Sequence, residues 1–283
     1  MDMPVKRHIR WEGSYYFHET VLPEMDYSIN PYFGCEIGCR YCYSIYYFKV
    51  KKIEYRWGDY VEAKLYLPRL LARNLNRFRK NSVIGIGTYS DPYQPWEKEL
   101  KLTRRILKIL RRRGDLHLSI QTRYPLILRD MDIIVMGPAD VGTSIPSIDR
   151  RFLKVFEPLV PSPEARLKML KKFVDRDVET WLYVAPVIPR VNDDPSMFEE
   201  LVIMARDVGV DTVYTDVVRF RIGVKKYFIE ALERYDPSLI PFFKELGRRE
   251  LYSIYNERVK EYKEIADKVG IKYIDAAPMM FRD

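Results

Sequence analysis

Cysteine is almost absent from this chain: 283 residues carry only 3, and all of them fall between Cys35 and Cys42. An odd, clustered set of thiols cannot build the disulfide framework of a small secreted domain. Histidine is equally scarce. His8, His18 and His117 show no paired spacing and form no catalytic constellation. No stretch approaches the roughly eighteen uninterrupted apolar residues that a membrane helix needs. The opening "MDMPVKRHIRWEG" has no apolar core of a secretory signal. A soluble, cytoplasmic protein with no membrane partner is therefore expected. Oligomeric state is not legible in the composition.

What is present is an ordinary globular composition, 47% hydrophobic, with an excess of tyrosine at 22 residues. Lys plus Arg number 48 against 40 Asp plus Glu, a formal charge of +8. That balance permits a polyanionic partner such as nucleic acid. A heat-adapted surface rich in charges of both signs, with Gln94 and Gln121 the only glutamines, accounts for it equally.

Short, β-branched apolar runs recur along the chain at Ser28–Tyr32, Val83–Gly87, Leu116–Gln121, Val141–Ile145, Thr180–Val187 and Thr212–Val217. Strands buried on both faces read this way. Amphipathic helical patterns lie between them, over Trp57–Phe78 and Glu97–Arg113. Two more begin at Ser162–Pro163 and at Asp194–Pro195, each a cap residue followed by an N-terminal proline. Alternation through about six units predicts a parallel α/β fold, a barrel-like or doubly wound sheet. Residues 1–27 read as an irregular extension, 28–221 as the core and 222–283 as helices ending in a late strand or tail at "IKYIDAAP". No flexible linker separates them, so one domain is expected.

The stretch "INPYFGCEIGCRYCYS" places Cys35, Cys39 and Cys42 just after the first expected strand. Parallel α/β folds carry their chemistry at that end of a strand. Structural zinc takes four ligands, commonly as two separated pairs, and no fourth partner is in sight. A [4Fe–4S] cluster suits three thiolates better, because three irons are held and one is left open to an outside ligand. Unrelated free thiols, or zinc completed by a distant carboxylate or histidine, are the rival readings.

Cys-x₃-Cys-x-aromatic-Cys, here Cys35, Cys39, Tyr41 and Cys42, resembles the signature of the radical S-adenosylmethionine (SAM) superfamily. The words "NPYFGCEIGCRYCYS", "TYSDPYQPWEKELKLTR" and "FEPLVPSPEARL" are together similar to the spore-photoproduct-lyase-like group, some of whose members are described as DNA repair photolyases. This likeness runs from Ile29 to Asp193. It implies a partial (β/α)6 barrel, a [4Fe–4S] cluster on the three cysteines and SAM on the open iron. It further implies a 5′-deoxyadenosyl radical that abstracts hydrogen, and a one-electron reductant of the ferredoxin or flavodoxin kind.

By the same resemblance, Tyr41 would pack near cluster and adenine, and Gly87, Thr88, Ser90 and Asp91 would meet the methionine amino group. Ser144 would touch the ribose. Glu157 and Arg166 match recurrent positions, with Arg166 facing the methionine carboxylate, and "APVIPRVND" would line the adenine side. Each also has a plain structural role available, as turn, cap or surface ion pair.

One departure stands out. The DNA-repairing members use a further cysteine to return hydrogen to the product, and this chain has none. A tyrosine in the mouth, Tyr43, Tyr89 or Tyr93, would have to replace it, or the reaction is not spore-type repair. The missing thiols also argue against any auxiliary cluster. "YSIYYFKVKK" interleaves aromatics and lysines as single-strand surfaces do, and "RRILKILRRRG" offers a basic helix face that solvent or phosphate could meet. Asp193 and Asp194 read as a helix cap. The expected activity is radical SAM chemistry on an unnamed substrate, nucleic acid among the candidates. The rival is a non-catalytic Fe–S or zinc protein that binds nucleic acid.

Overall fold

The structure is a computed structural model that describes residues 5–13, 18–20 and 24–277. Eleven strands are found among them: β1 (Lys6–Arg10), β2 (His18–Glu19), β3 (Tyr27–Ile29), β4 (Tyr32–Phe33), β5 (Tyr60–Lys64), β6 (Val83–Ile86), β7 (His117–Gln121), β8 (Ala139–Ser144), β9 (Glu179–Val187), β10 (Thr212–Val217) and β11 (Lys272–Asp275). Eight form one sheet in the order β11-β10-β9-β8-β7-β6-β3-β2. Its seven strands from β3 to β11 pair in parallel, and β2 adds an antiparallel edge.

Strand order follows chain order because each strand returns beside its predecessor through a helix that covers the outer face. Residues such as Ile86, Ile120, Val141, Leu182 and Val213 are fully or almost fully buried, as a sheet covered on both faces requires. The result is a partial (β/α)6 barrel.

Local chemistry sets the crossover helices. Pro163–Val174 begins where the Ser162 hydroxyl accepts from Ala165 N at 3.3 Å, and Pro195–Asp207 where Asp194 accepts from Ser196 N at 2.9 Å. Both expected caps are present, and Asp194 is spent on its cap. The long helix Arg248–Val269 packs on Pro195–Asp207 and on β11, which extends the sheet beside β10.

Four expectations change. The stretch 1–27 is not wholly irregular: among its described residues β1 pairs in parallel with β5 and β2 pairs antiparallel with β3. Trp57–Phe78 is not one helix: β5 occupies its start, with Val61 and Ala63 buried and Tyr60, Glu62 and Lys64 half-buried between them. That alternation of two is satisfied by β1 on one side and β4 on the other, and a helix survives only over Leu67–Asn74. Glu97–Arg113 is broken at Lys101, whose φ of 50° is left-handed. Ser28–Tyr32 splits into β3 and β4 around Pro31, which has no N–H for a ladder.

The basic helix Leu102–Leu110 and the residues after it spend much of their charge inside the fold. Arg104 pairs with Asp130 and Asp132 at 2.9 and 2.8 Å. Arg111 donates to the carbonyls of Leu116, Ile133, Ile134 and Gly137, and Arg113 pairs with Asp115. Among the described residues no helix is long and apolar enough to cross a membrane.

Candidate active site

The cysteine loop leaves β4 through Gly34, whose φ is 80° and whose missing Cβ would lie 2.3 Å from the Tyr60 carbonyl. Only glycine fits there. Buried Glu36 then anchors the loop. Its N–H donates to Gln94 Oε1 at 2.9 Å, and its carboxylate accepts from Trp96 N at 2.9 Å and from Arg7 Nε at 2.8 Å. The loop is thereby fixed to the segment after β6 and to β1.

Cys35, Cys39 and Cys42 are free thiols, the first two buried and the third half-buried. All three line one cavity of about 680 Å³. Burial pushes each thiol up, Cys39 to about 12, and around Cys39 the positive Arg123 works the other way.

The same cavity gathers the C-terminal ends of five parallel strands: Gly87 to Asp91 after β6, Gln121 to Arg123 after β7, Ser144 of β8, Tyr183 to Pro186 of β9, and Asp216 to Arg219 of β10. Gly87, with φ 93°, turns the chain where a Cβ would meet the Gln121 carbonyl at 2.3 Å. Thr88 Oγ1 lies 2.6 Å from Ser28 Oγ and accepts from Asn30 Nδ2 at 2.8 Å. Ser90 donates to the Tyr32 carbonyl. Asp91 is a tie between strand ends, accepting from Tyr93 N, Thr122 Oγ1 and Arg123 N at 2.9, 2.6 and 2.8 Å. Burial nevertheless raises its carboxyl.

Ser144 donates to the Ala185 carbonyl at 2.9 Å and accepts from Arg123 Nη2 at 3.2 Å. Tyr43 lines the cavity and its phenol donates to the Thr88 carbonyl. Of "APVIPRVND", Ala185 and Pro186 reach the cavity. Asn192 instead ties the turn, donating to the Pro146 and Pro186 carbonyls.

Three expected residues lie elsewhere. Tyr93 is fully buried outside the cavity, donating to Asp130 at 3.2 Å, because the loop after β6 turns it into the core. Glu157 and Arg166 form a buried ion pair at 3.1 Å behind the cavity wall, and Arg166 Nη1 also donates to the Ser144 carbonyl. Tyr41, which does line the cavity, donates its phenol to Glu157.

Two guanidiniums line the cavity, Arg123 and Arg219, and the one beside the thiols is Arg123, which sequence reasoning missed. Burial opposes its charge, and Cys39, Tyr41, Glu157 and Asp91 around it more than restore it. Its Nε is buried without a hydrogen-bond partner. The available signal was position alone: "QTRYP" directly follows an expected strand. Asp216 and Arg219, joined at 2.8 Å with Tyr183 donating to Asp216 at 3.2 Å, were missed for the same reason.

Comparison with known proteins bears directly on this arrangement. The family model described as the radical SAM superfamily matches residues 29–205, more than half of the chain and including all three cysteines. The chain belongs to the radical SAM superfamily.

An uncharacterized protein of Methanocaldococcus jannaschii is 36% identical over 176 residues, 62% of this chain and 65% of that protein. This chain thus spans just under two thirds of that relative's length. An uncharacterized protein of Mycobacterium tuberculosis is 28% identical over 252 residues, covering 83% of this chain and 72% of its own. Among solved structures, a spore photoproduct lyase variant with bound AdoMet and dinucleoside spore photoproduct aligns at a TM-score of 0.69. That alignment has 17% identity over 92% of this chain and 78% of the other. Streptococcus suis SuiB bound to S-adenosylmethionine aligns at 0.58 with 13% identity, covering 96% of this chain and 50% of that one. At such identities the likeness is one of fold.

The donor set fits the iron–sulfur group that the superfamily implies. Among the described residues no three His, Cys, Asp or Glu side chains are gathered tightly enough for a single metal ion. In a cuboidal cluster each thiolate binds its own iron, so convergence on one point is not needed. Three undisulfided thiols on one cavity wall, with cationic Arg123 beside them, provide sulfur ligands and charge compensation together.

Proposed function

We propose that this protein is a radical SAM enzyme whose cluster is held by Cys35, Cys39 and Cys42, and whose substrate is nucleic acid. Bound there, the cluster would supply the electron that cleaves SAM to methionine and a 5′-deoxyadenosyl radical for hydrogen abstraction. The observation that supports it most is the shared cavity. A purely structural centre would be closed by its ligands, whereas these thiols face about 680 Å³ of space ringed by five strand ends.

Within this reading the chain's own residues divide the work. Arg123, whose Nε makes no hydrogen bond and stands 3.5 Å from Glu157 Oε1, takes the methionine carboxylate, since a guanidinium binds carboxylates bidentately. Arg166 and Glu157 hold Ser144 and Tyr41 in place from behind. Gly87 and Thr88 offer the strand-end contacts for the amino group, and Ser90 and Asp91 keep that turn in shape. Tyr43 stands in for the missing cysteine by giving its phenolic hydrogen atom to the substrate radical. One electron from the reductant and one proton from water would restore the phenol. Support for a nucleic-acid substrate comes from the +8 charge and from the likeness in fold to a lyase holding a dinucleoside.

The test is anaerobic reconstitution with iron and sulfide, then dithionite and SAM, with 5′-deoxyadenosine quantified beside a Cys39→Ala control. Production that disappears in the control supports the reading. A full, reducible cluster that yields no product sinks it and promotes the rival, a non-catalytic Fe–S protein.

A further inference from the structure

The stretch "YSIYYFKVKK", residues 43–52, runs straight out of the cysteine loop as the helix Ile45–Val50 and the turn after it. Residues 217–226, which leave the cavity rim at Arg219, come to rest on that helix. A Cβ on Gly223 would stand 2.8 Å from Lys49 Cγ and 3.3 Å from Ile45 Cγ2, and Arg221 Cζ lies 5.4 Å from the centre of the Tyr46 ring. The two segments make one surface beside the mouth. The first holds three lysines, the second two arginines and two lysines, and neither holds an Asp or Glu. Arg219 is paired with Asp216, whereas Lys49 and Arg221 are exposed and in no ion pair among the described residues.

Rings and apolar groups are set among these charges. Tyr46 and Tyr47 meet edge to face at 5.4 Å, and Tyr47 meets Tyr89 at 5.7 Å. Tyr89 lines the cavity, so an unbroken line of rings runs from the outer surface to the space that the thiols face. Tyr47 is 39% exposed, Val50 60% and Ile222 74%. Large apolar groups left in water beside cations suit a ligand that combines flat apolar faces with negative charge. A nucleic-acid strand is such a ligand when its bases are unpaired. In a duplex each base face is covered by the next pair and gives these rings nothing to stack on. An unpaired strand also brings a base into the cavity without the cost of extruding it.

We propose that this surface, centred on Tyr46, Tyr47, Lys49 and Arg221, holds a single strand of nucleic acid and leads one of its bases into the cavity. The proposal rests on the nucleic-acid reading above and specifies the form of that substrate and the surface that receives it. Lys49 and Arg221 meet phosphates, and Tyr47 stacks on a base.

The test is the fluorescence anisotropy of labelled strands of about 20 nucleotides, one DNA and one RNA, and of the blunt duplex of the same sequence, titrated with the full chain. At about 50 mM salt one strand or both should bind roughly tenfold or more tighter than the duplex, and the tighter strand names the sugar. Lys49→Gln/Arg221→Gln should weaken that strand about tenfold and lower the salt slope by about two. Tyr47→Ala should weaken it roughly tenfold with the slope unchanged, and Tyr47→Phe should restore it, because the ring face is kept. A duplex bound as tightly as the strands, or either weakening variant within about twofold of wild type, overturns the proposal. If these substitutions instead abolish retention on vesicles of phosphatidylcholine and phosphatidylserine while strand affinity holds, the face belongs to a membrane and the proposal fails. Strand binding that follows the expected pattern in a protein that never cleaves SAM would sink the functional reading and leave this result standing.

Discussion

The two ends of the barrel use similar residues to opposite effect. At the N-terminal end, Asp140 on β8 lies 2.6 Å from His117 Nε2 and accepts from Ser119 Oγ at 2.7 Å and Trp181 Nε1 at 2.6 Å. Gly142 makes that possible: a Cβ there would fall 2.1 Å from the Trp181 ring. Its carboxylate oxygens are thus taken up by neighbours, although the cavity reaches them. At the C-terminal end three thiols have no disulfide and Arg123 Nε makes no hydrogen bond, with Glu157 Oε1 at 3.5 Å its ion-pair partner. Folding supplies the partners of Asp140 by itself and leaves the thiols and Arg123 Nε to be completed from outside, as expected of a site rather than a strut.

The sharpest way to break this contrast is at the thiols. Cys35→Ala, Cys39→Ala or Cys42→Ala should each lower 5′-deoxyadenosine formation by a hundredfold or more. Each should shift the melting temperature of the unreconstituted protein by only a few degrees, because a single small buried group is lost. A variant that keeps product formation removes its cysteine from the site.

Next in size is the buried pair behind the wall. Arg166→Met leaves the buried Glu157 carboxylate with the Tyr41 phenol and, at 3.5 Å, Arg123 Nε as its partners. Chemical denaturation should show a loss of about 3–5 kcal/mol, with unreconstituted protein used so that cluster content does not enter. Glu157→Gln/Arg166→Met should recover much of it. Equal losses in single and double variants would mean that the pair is not coupled.

Arg123→Met should then separate binding from stability. The SAM concentration for half-maximal cleavage is expected to rise about tenfold or more, with little change in melting temperature. Asp140→Asn at the other end should do the reverse, lowering the melting temperature while leaving SAM dependence alone. If the two behave alike, the distinction between the ends is false. Within the site, Tyr43→Phe should reduce product formed per 5′-deoxyadenosine, whereas Tyr93→Phe, outside the cavity, should not.

The smallest effect concerns Lys64, which donates to the Asn30 carbonyl at 2.9 Å and lies 2.8 Å from Tyr89 Oη. Burial, then nearby Lys51 and Arg10, lower this amine to about 7, with Glu62 opposing. The unfolded chain keeps the lysine proton up to about pH 10.4. Between those values the unfolded state binds more protons, so this group makes stability rise with pH. Below about 7 the cost of burying the charge is fully present. Lys64→Met should therefore compare best with wild type near pH 6 and lose that advantage progressively toward pH 9, as read from paired melting curves. A difference that does not change with pH would remove the claim.

Much of this was legible beforehand, and the reasons are local. Val83–Ile86, His117–Gln121 and Thr212–Val217 stood out as short β-branched runs, and Ser162 and Asp194 as caps, because each depends on chemistry within a few residues. β5 was not, because its partners β1 and β4 come from distant segments and its alternation sits in a stretch that also fits a helix. The cysteine loop announced itself through spacing. Arg123 did not, since nothing in "QTRYP" separates it from an arginine that points to water, and Arg166 looked equally eligible until its ion pair with Glu157 placed it behind the wall.

The sequence by itself determined the alternation of strand and helix, the place of the thiols after an early strand and the absence of any fourth. Periodicity, capping and residue identity are properties of contiguous chain. Only the tertiary structure decided that Arg123 and Arg219 meet the cavity while Arg166 does not, that Tyr93 is turned away from it and that Asp140 is taken up by hydrogen bonds while Arg123 Nε makes none. Those outcomes depend on which distant groups meet when the sheet curls, and each is settled by burial and by the pairing of polar groups across it.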